Sequence, residues 1–164
     1  MTEQITLARL REQLSYDPVS GDFHWVCADM RGKNSREVPA GGKSSKGYWR
    51  IKVGPRYYYA HRLAWLFVNG SWPLGLIDHL NGNKLDNRID NLRDVRPGVN
   101  VQNQRKPSRN NKTGFLGICA EGVIFKACIK VDGRTLHLGR FETPEEAHAA
   151  YVTAKRTHHE GCTL

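Results

Sequence analysis

A chain of 164 residues has room for one ordinary domain or two small ones, which excludes a large enzyme scaffold with a deep interior. Its 25 Lys and Arg stand against 16 Asp and Glu, a formal charge of +9 that points to a polyanionic partner. The chain shows neither a run of about 18 apolar residues nor a basic amphipathic helix, which sets a membrane surface aside and leaves nucleic acid.

The segment from Met1 to Leu10 lacks the charged start, apolar stretch and small-residue cleavage site of a secretory signal, so a soluble, cytoplasmic protein is expected. Four cysteines, Cys27, Cys119, Cys128 and Cys162, form no Cys-x-x-Cys pair, so neither a zinc knuckle nor a redox motif is written here. They read as free thiols packed as small apolar groups.

From Tyr16 to Ala60, short apolar runs are broken by turn residues. Phe23-His24-Trp25-Val26 and Tyr48-Trp49-Arg50-Ile51-Lys52-Val53 read as strands, the second alternating apolar with basic. A small antiparallel unit with a cationic face follows, and Arg31, Lys33, Arg36, Lys43 and Lys46, opposed nearby by Asp29 and Glu37, favour phosphate contact as a group. His61 to Val68 has helix-compatible spacing and is stopped by Asn69-Gly70, which predicts a short buried helix with Trp65 and Phe67 as core groups. Ile77-Asp78-His79-Leu80 reads as an extended segment ending in a turn. Asp86 to Arg93 is rich in locally bonding side chains and suits a structured loop, and Asn100 to Lys106 continues as a helix.

Pro107 to Lys112 has a linker composition. Beyond it, Phe115 to Ile118, Val123 to Val131 and Thr135 to Gly139 read as three strands, the last two joined by the hairpin signal Asp132-Gly133. The last helix is the clearest element. Thr143 caps it, Pro144 suits its first position and Glu146 completes a capping box; Ala147, Ala150, Tyr151 and Ala154 share one face, and Gly161 stops it. His158 and His159 adjoin one another on that helix and do not face each other, so they read as a solvated terminus.

Hydrolysis of a phosphodiester needs an activated water, an electrophile for the phosphate and a stabilised leaving oxygen, which one divalent cation and one general base can supply. Asp78 directly followed by His79 offers a hard oxygen donor beside an imidazole, and Asn100 offers a second oxygen, a set that suits Mg²⁺ with several retained waters.

The runs Ala60-His61-Arg62-Leu63-Ala64-Trp65, Ile77-Asp78-His79, Asn81-Gly82-Asn83, Asp86-Asn87-Arg88, Asn91-Leu92-Arg93 and Asn100 with Asn103 resemble the His-Asn-His (HNH) endonucleases, in particular their phage and intron-encoded homing branch. The resemblance implies a β-hairpin and helix around one metal, the ββα-metal or His-Me finger core. It implies His79 as general base, Asp78 and Asn100 as ligands of Mg²⁺ or Mn²⁺, and Asn91 as the brace of the loop carrying the histidine. Asn100 stands at the third motif position instead of His, as in the homing branch. His61 is either a second active-site contact or a helix-start histidine bonded to the backbone.

Gly114-Phe115-Leu116-Gly117-Ile118, Phe125 to Ile129, Leu138-Gly139-Arg140-Phe141 and Glu145 to Tyr151 resemble the AP-two/ethylene-response-factor (ERF) DNA-binding domain, a three-stranded sheet on one helix that lays the sheet in the major groove. Lys126, Lys130, Arg134 and Arg140 are then the expected contacts, beside Arg50, Lys52, Arg62 and Arg105 from the rest of the chain. The usual arginine- and tryptophan-rich first strand is replaced by Phe115 to Glu121, which removes base readout from that strand and leaves backbone gripping to the others.

The expected molecule is α+β: a DNA-contacting β unit at 1–60, a nuclease core at 61–106, a linker at 107–112 and a DNA-recognition domain at 113–164. It cuts duplex DNA as a monomer or weak dimer, without an obligatory protein partner, inside a bacterial host. A catalytically silent DNA-binding regulator and a basic RNA-binding protein are the rival readings; the second gives no reason for the nuclease pattern.

Overall fold

A computed structural model describes residues 5–26 and 38–163, so Cys27 and the predicted cationic positions Arg31, Lys33 and Arg36, with Asp29 and Glu37, lie outside the described residues. The chain forms two compact units, Met1–Val95 and Arg96–Leu164. The architecture is mixed α and β, with small antiparallel sheets in each unit.

The first unit opens with helix α1 (Leu7–Gln13), an element not among those expected from the sequence. Thr6 caps it by accepting from the Arg9 amide at 3.4 Å, and Leu10 is fully buried. At seven residues it is too short to announce itself by periodicity. Strands β1 (Leu14–Tyr16) and β2 (Phe23–Trp25) pair antiparallel. The turn between them presses on another part of the unit: a Cβ at Gly21, whose φ is +81°, would lie 2.5 Å from the Arg88 backbone nitrogen.

Strands β3 (Gly42–Lys43), β4 (Trp49–Val53) and β5 (Arg56–Tyr59) form an antiparallel sheet in that order. The alternation read in β4 sends Ile51 and Val53 inward, with Arg50 and Lys52 exposed. Helix α2 (Ala60–Asn69) follows at once, and Gly70 ends it in the left-handed conformation with φ +76°, as Asn69-Gly70 predicted. Its Ala60, Leu63, Ala64 and Leu66 bury against Leu10, Leu14, Phe23 and Ile51, and Trp65 and Phe67 pack at the edge of this core. Strands β6 (Leu76–His79) and β7 (Leu92–Val95) close the unit as an antiparallel pair. The predicted loop from Asp86 to Arg93 therefore ends in a 3₁₀ turn, Ile89–Asn91, and a strand. Periodicity missed β7 because only Leu92 of its four residues is buried.

In the second unit, helix α3 (Pro97–Gln102) begins three residues earlier than predicted and stops before Lys106. Pro97 pre-sets its first turn. The C-terminal tail holds it: the Gly161 amide donates to Gln102 Oε1 at 2.9 Å, Lys155 Nζ donates to the Gln104 carbonyl, and Thr163 bonds to Asn103. Strands β8 (Ile118–Glu121), β9 (Ile124–Val131) and β10 (Arg134–Phe141) form an antiparallel sheet with β9 in the centre. The first strand starts at Ile118 and not at Phe115, because Gly117 sits at φ +74° and interrupts extension. Asp132 and Gly133 turn the β9–β10 hairpin with φ of +49° and +82°, the pair of positive angles that Asp-Gly signals.

Helix α4 (Pro144–His158) packs on this sheet. The Thr143 hydroxyl accepts from the Glu146 amide at 3.3 Å, and Ala147, Tyr151 and Ala154 are buried against Ile118, Ala127 and Ile129. Gly161 does not itself end the helix; His159 caps it. Gly117 fits only as glycine, since a Cβ would lie 2.1 Å from the Tyr151 ring. Gly117→Ala should destabilise the second unit by roughly 2–4 kcal/mol, combining backbone strain with overpacking. Thermal unfolding would show it as a lowered Tm, and an unchanged Tm would refute this account of the packing.

Candidate active site

His79 and Asp78 are the last two residues of β6, and each is buried although polar. Burial of such groups is expensive unless they are engaged. Asp78 is engaged by Arg93, directly opposite it on β7: the guanidinium donates from Nε at 3.0 Å and from Nη2 at 2.8 Å, both to Oδ2. The carboxylate is thus charge-compensated and fixed in place.

The His79 ring stands edge-on to His61 at 5.2 Å and lies 6.1 Å from Tyr48. Burial pushes its pKa below the ordinary 6.5, opposed by the neighbouring Asn87 side chain and by the charges of Asp78 and Asp86. The imidazole is therefore neutral at pH 7, the form that can accept a proton.

His61 stacks on Tyr59 at 5.4 Å, its Nδ1 has no hydrogen-bond partner among the described residues, and burial and His79 lower its pKa to about 3. Tyr48 packs on both histidines, and the Lys84 ammonium lies 4.5 Å over the Tyr48 ring. Sequence reading missed Tyr48 and Lys84 as neighbours of His79. No local spacing links Tyr48 to the later segment, since the contact is made by folding alone.

The loop leaving His79 is held by side chains that bond to backbone. Asn91 Oδ1 accepts from the Asn81 amide at 3.0 Å, and Asn91 Nδ2 donates to the Asp86 carbonyl at 2.8 Å. Asn81 Nδ2 donates to Asp86 Oδ2 at 2.7 Å, and Arg88 donates to both Asp86 oxygens, at 2.8 Å from Nε and 2.6 Å from Nη2. The Tyr16 hydroxyl, whose pKa burial raises to about 12, donates to the Asn87 carbonyl at 2.9 Å.

The Arg88 and Asn81 hydrogen bonds hold the Asp86 pKa down at about 2, below the ordinary 3.8. A depressed carboxylate contributes stability that is fully present above its unfolded pKa and is lost as pH falls through its folded one. The Tm difference between wild type and Asp86→Asn should therefore be constant above about pH 5 and shrink as pH drops through 3.8 toward 2. A difference independent of pH would show that the Asp86 charge does not hold the loop.

As to a metal, a buried carboxylate already oriented by Arg93 is a hard oxygen donor of the kind Mg²⁺ or Mn²⁺ takes. Among the described residues there is no group of three or more His, Cys, Asp and Glu able to hold a metal ion. Asn100, the other oxygen donor of the predicted set, lies on α3 in the second unit.

The predicted cations fall into distinct groups. Arg50 and Lys52 share one face of β4, with the Arg50 guanidinium 4.4 Å and the Lys52 ammonium 6.0 Å over the exposed Tyr57 ring. Arg62 lies 5.7 Å over Trp72 and donates to the Gly75 carbonyl at 3.4 Å, an engagement within its own unit. Arg105 donates to the Thr163 carbonyl at 2.8 Å. Lys126, Lys130 and Arg140 project from the sheet face opposite the buried Ala127 and Ile129, whereas Arg134, paired with Val131, falls on the face that carries α4.

Residues 58–100, which hold β5 from its third position, α2, the β6–β7 hairpin and its loop, match the HNH endonuclease family model. This stretch is an HNH-type domain, a class that implies a nuclease and a DNA partner. Over 116 residues the chain is also 28% identical to Protein 3.8 of Escherichia phage T7, an alignment covering 69% of this chain and 93% of that protein. No solved structure matches the chain. Among the described residues no helix is long and apolar enough to cross a membrane.

Proposed function

We propose that this protein is a metal-dependent DNA endonuclease of the HNH type, encoded by a phage or mobile element, and that it cuts or nicks duplex DNA in the cytoplasm of a bacterial host. The observation that carries the reading is a neutral, buried His79 beside a carboxylate fixed by Arg93, on a hairpin whose loop is tied by Asn91, all within the HNH-matching segment.

In this reading His79 takes a proton from water, the water oxygen attacks phosphorus in line, the bond to the 3′ oxygen breaks and that oxygen takes a proton from solvent water, leaving a 5′-phosphate and a 3′-hydroxyl, while His79 returns its proton to solvent. Asp78 would hold a divalent cation, Mg²⁺ or Mn²⁺, with Asn100 the second oxygen donor that the HNH resemblance implies, and the cation would supply charge stabilisation on the phosphate. Arg93 keeps Asp78 aimed and, by offsetting its charge, makes occupancy depend on the phosphate of the substrate. Asn91 acts as a positioning residue through the loop.

Arg50, Lys52, Lys126, Lys130 and Arg140 meet the DNA backbone, with Arg62, Arg105 and Arg134 as further positively charged contributors. Residues 113–164 serve as an AP-two/ERF-like recognition domain after the linker at 107–112. Two modest grips, one from 1–60 and one from 113–164, around a core at 61–106 raise effective concentration on a long homing site without requiring more than a monomer or weak dimer.

Supercoiled phage and plasmid DNA incubated with Mg²⁺, Mn²⁺ or EDTA tests the proposal: nicked or linear product with metal and none with EDTA is the expected result. The Arg93 hold on Asp78 favours one rival, a catalytically silent DNA-binding regulator. Tight DNA binding with no cutting under either metal, on DNA that includes the element's own insertion locus, would favour that rival.

A further inference from the structure

On the sheet face turned away from α4, a carboxylate sits between two of the cations expected to meet DNA. Glu121 ends β8. Its Oε1 is 3.5 Å from Lys126 Nζ and its Oε2 is 3.4 Å from Arg140 Nη2. Lys126 and Arg140 are cross-strand partners on β9 and β10, so the three side chains form one compact group. All three remain partly open to solvent: Glu121 is 45%, Arg140 67% and Lys126 26% exposed.

Pairs this exposed contribute little to stability. Their geometry, however, is that of an anion clasp. A carboxylate dividing its two oxygens between a Lys and an Arg satisfies the same donors that a phosphodiester would satisfy with its two non-bridging oxygens. Among the described residues the ion pairs on this face involve Lys126 and Arg140 and not Lys130, so the masking is local to one end of the sheet.

We propose that Lys126 and Arg140 form a phosphate site for duplex DNA and that Glu121 occupies it in the free protein as an internal competitor. The inference rests on the reading that this sheet face meets DNA. Docking of a backbone phosphate displaces the Glu121 carboxylate, and the displaced charge then opposes the strand. The residue lowers the affinity of the sheet for DNA of any sequence, and so limits unproductive binding by a chain with a charge of +9.

The test uses the full chain, a fluorescent duplex of unrelated sequence, EDTA to prevent cutting, and anisotropy titrations over a range of salt. Four forms are compared with wild type: Glu121→Gln, Lys126→Ala with Arg140→Ala, the triple combination, and Glu160→Gln, which makes the same charge change beyond the end of α4. Glu121→Gln should tighten binding by roughly 3- to 10-fold and steepen the slope of log K against log salt by about one. Glu160→Gln should change affinity less than about 2-fold, and the Glu121→Gln gain should vanish in the double-alanine background.

A gain matched by Glu160→Gln, or one that persists without Lys126 and Arg140, would be long-range charge alone and would overturn the competitor role while leaving DNA on the sheet. Weaker binding by Glu121→Gln would overturn it too, by showing that the carboxylate organises the cations. A double-alanine variant that binds like wild type would remove DNA from this face and both readings with it.

Discussion

His79→Ala is expected to lower metal-dependent cleavage by about 10²- to 10⁴-fold, the range over which a positioned general base contributes. An imidazole 4% exposed at the end of β6 has its charged form disfavoured, so it stays neutral at pH 7 and ready to accept a proton. The side chain is also packed on His61 and Tyr48, so alanine leaves a gap and some loss of stability is expected beside the loss of rate.

His79→Gln separates the two effects. It keeps most of the volume and the capacity to hydrogen-bond but cannot act as a base of comparable strength. It should bind DNA and melt like wild type and yet cleave as poorly as His79→Ala. Full activity in either variant would move the base elsewhere, and His61, with its buried Nδ1 beside His79, would be the first place to look.

The parts of this fold that were legible in the sequence are those in which local chemistry dictates the answer. Thr143, Pro144 and Glu146 announce α4, Asp132-Gly133 announces the β9–β10 turn and Asn69-Gly70 ends α2 where predicted. The α1 helix and the β7 strand escaped because neither carries a repeating apolar pattern: α1 buries only Leu10 fully and β7 only Leu92.

The site divides along the same line. Asp78 and His79 are adjacent in sequence and could be read as a pair, whereas Tyr48 and Lys84 reach His79 and its neighbours through tertiary packing. Strand register, which no composition reveals, turns Arg134 to the helix side of its sheet and sets Glu121 against Lys126 and Arg140.

Asn91→Ala should have the second large effect, through the loop and not through the chemistry. The side chain is 7% exposed and satisfies two backbone groups, the Asn81 amide and the Asp86 carbonyl, that bracket the loop following His79. Alanine removes both partners at once. Leaving a shielded backbone donor and acceptor without partners costs about 1–3 kcal/mol each, reduced wherever water enters, so a net loss of roughly 2–4 kcal/mol is expected.

A purely structural residue would lower Tm and leave the surviving folded fraction fully active. A positioning residue would also lower the rate per folded molecule, because a histidine displaced by about 1 Å loses up to about 10²-fold in rate. Cleavage by Asn91→Ala, measured well below its Tm and at saturating DNA, should therefore fall in kcat with KM little changed. Asn91→Asp, which keeps the acceptor for the Asn81 amide but faces the Asp86 carbonyl with a second acceptor, should recover little of it. Unchanged kcat in the folded protein would confine Asn91 to holding the fold and leave the orientation of His79 to the β6–β7 hairpin alone.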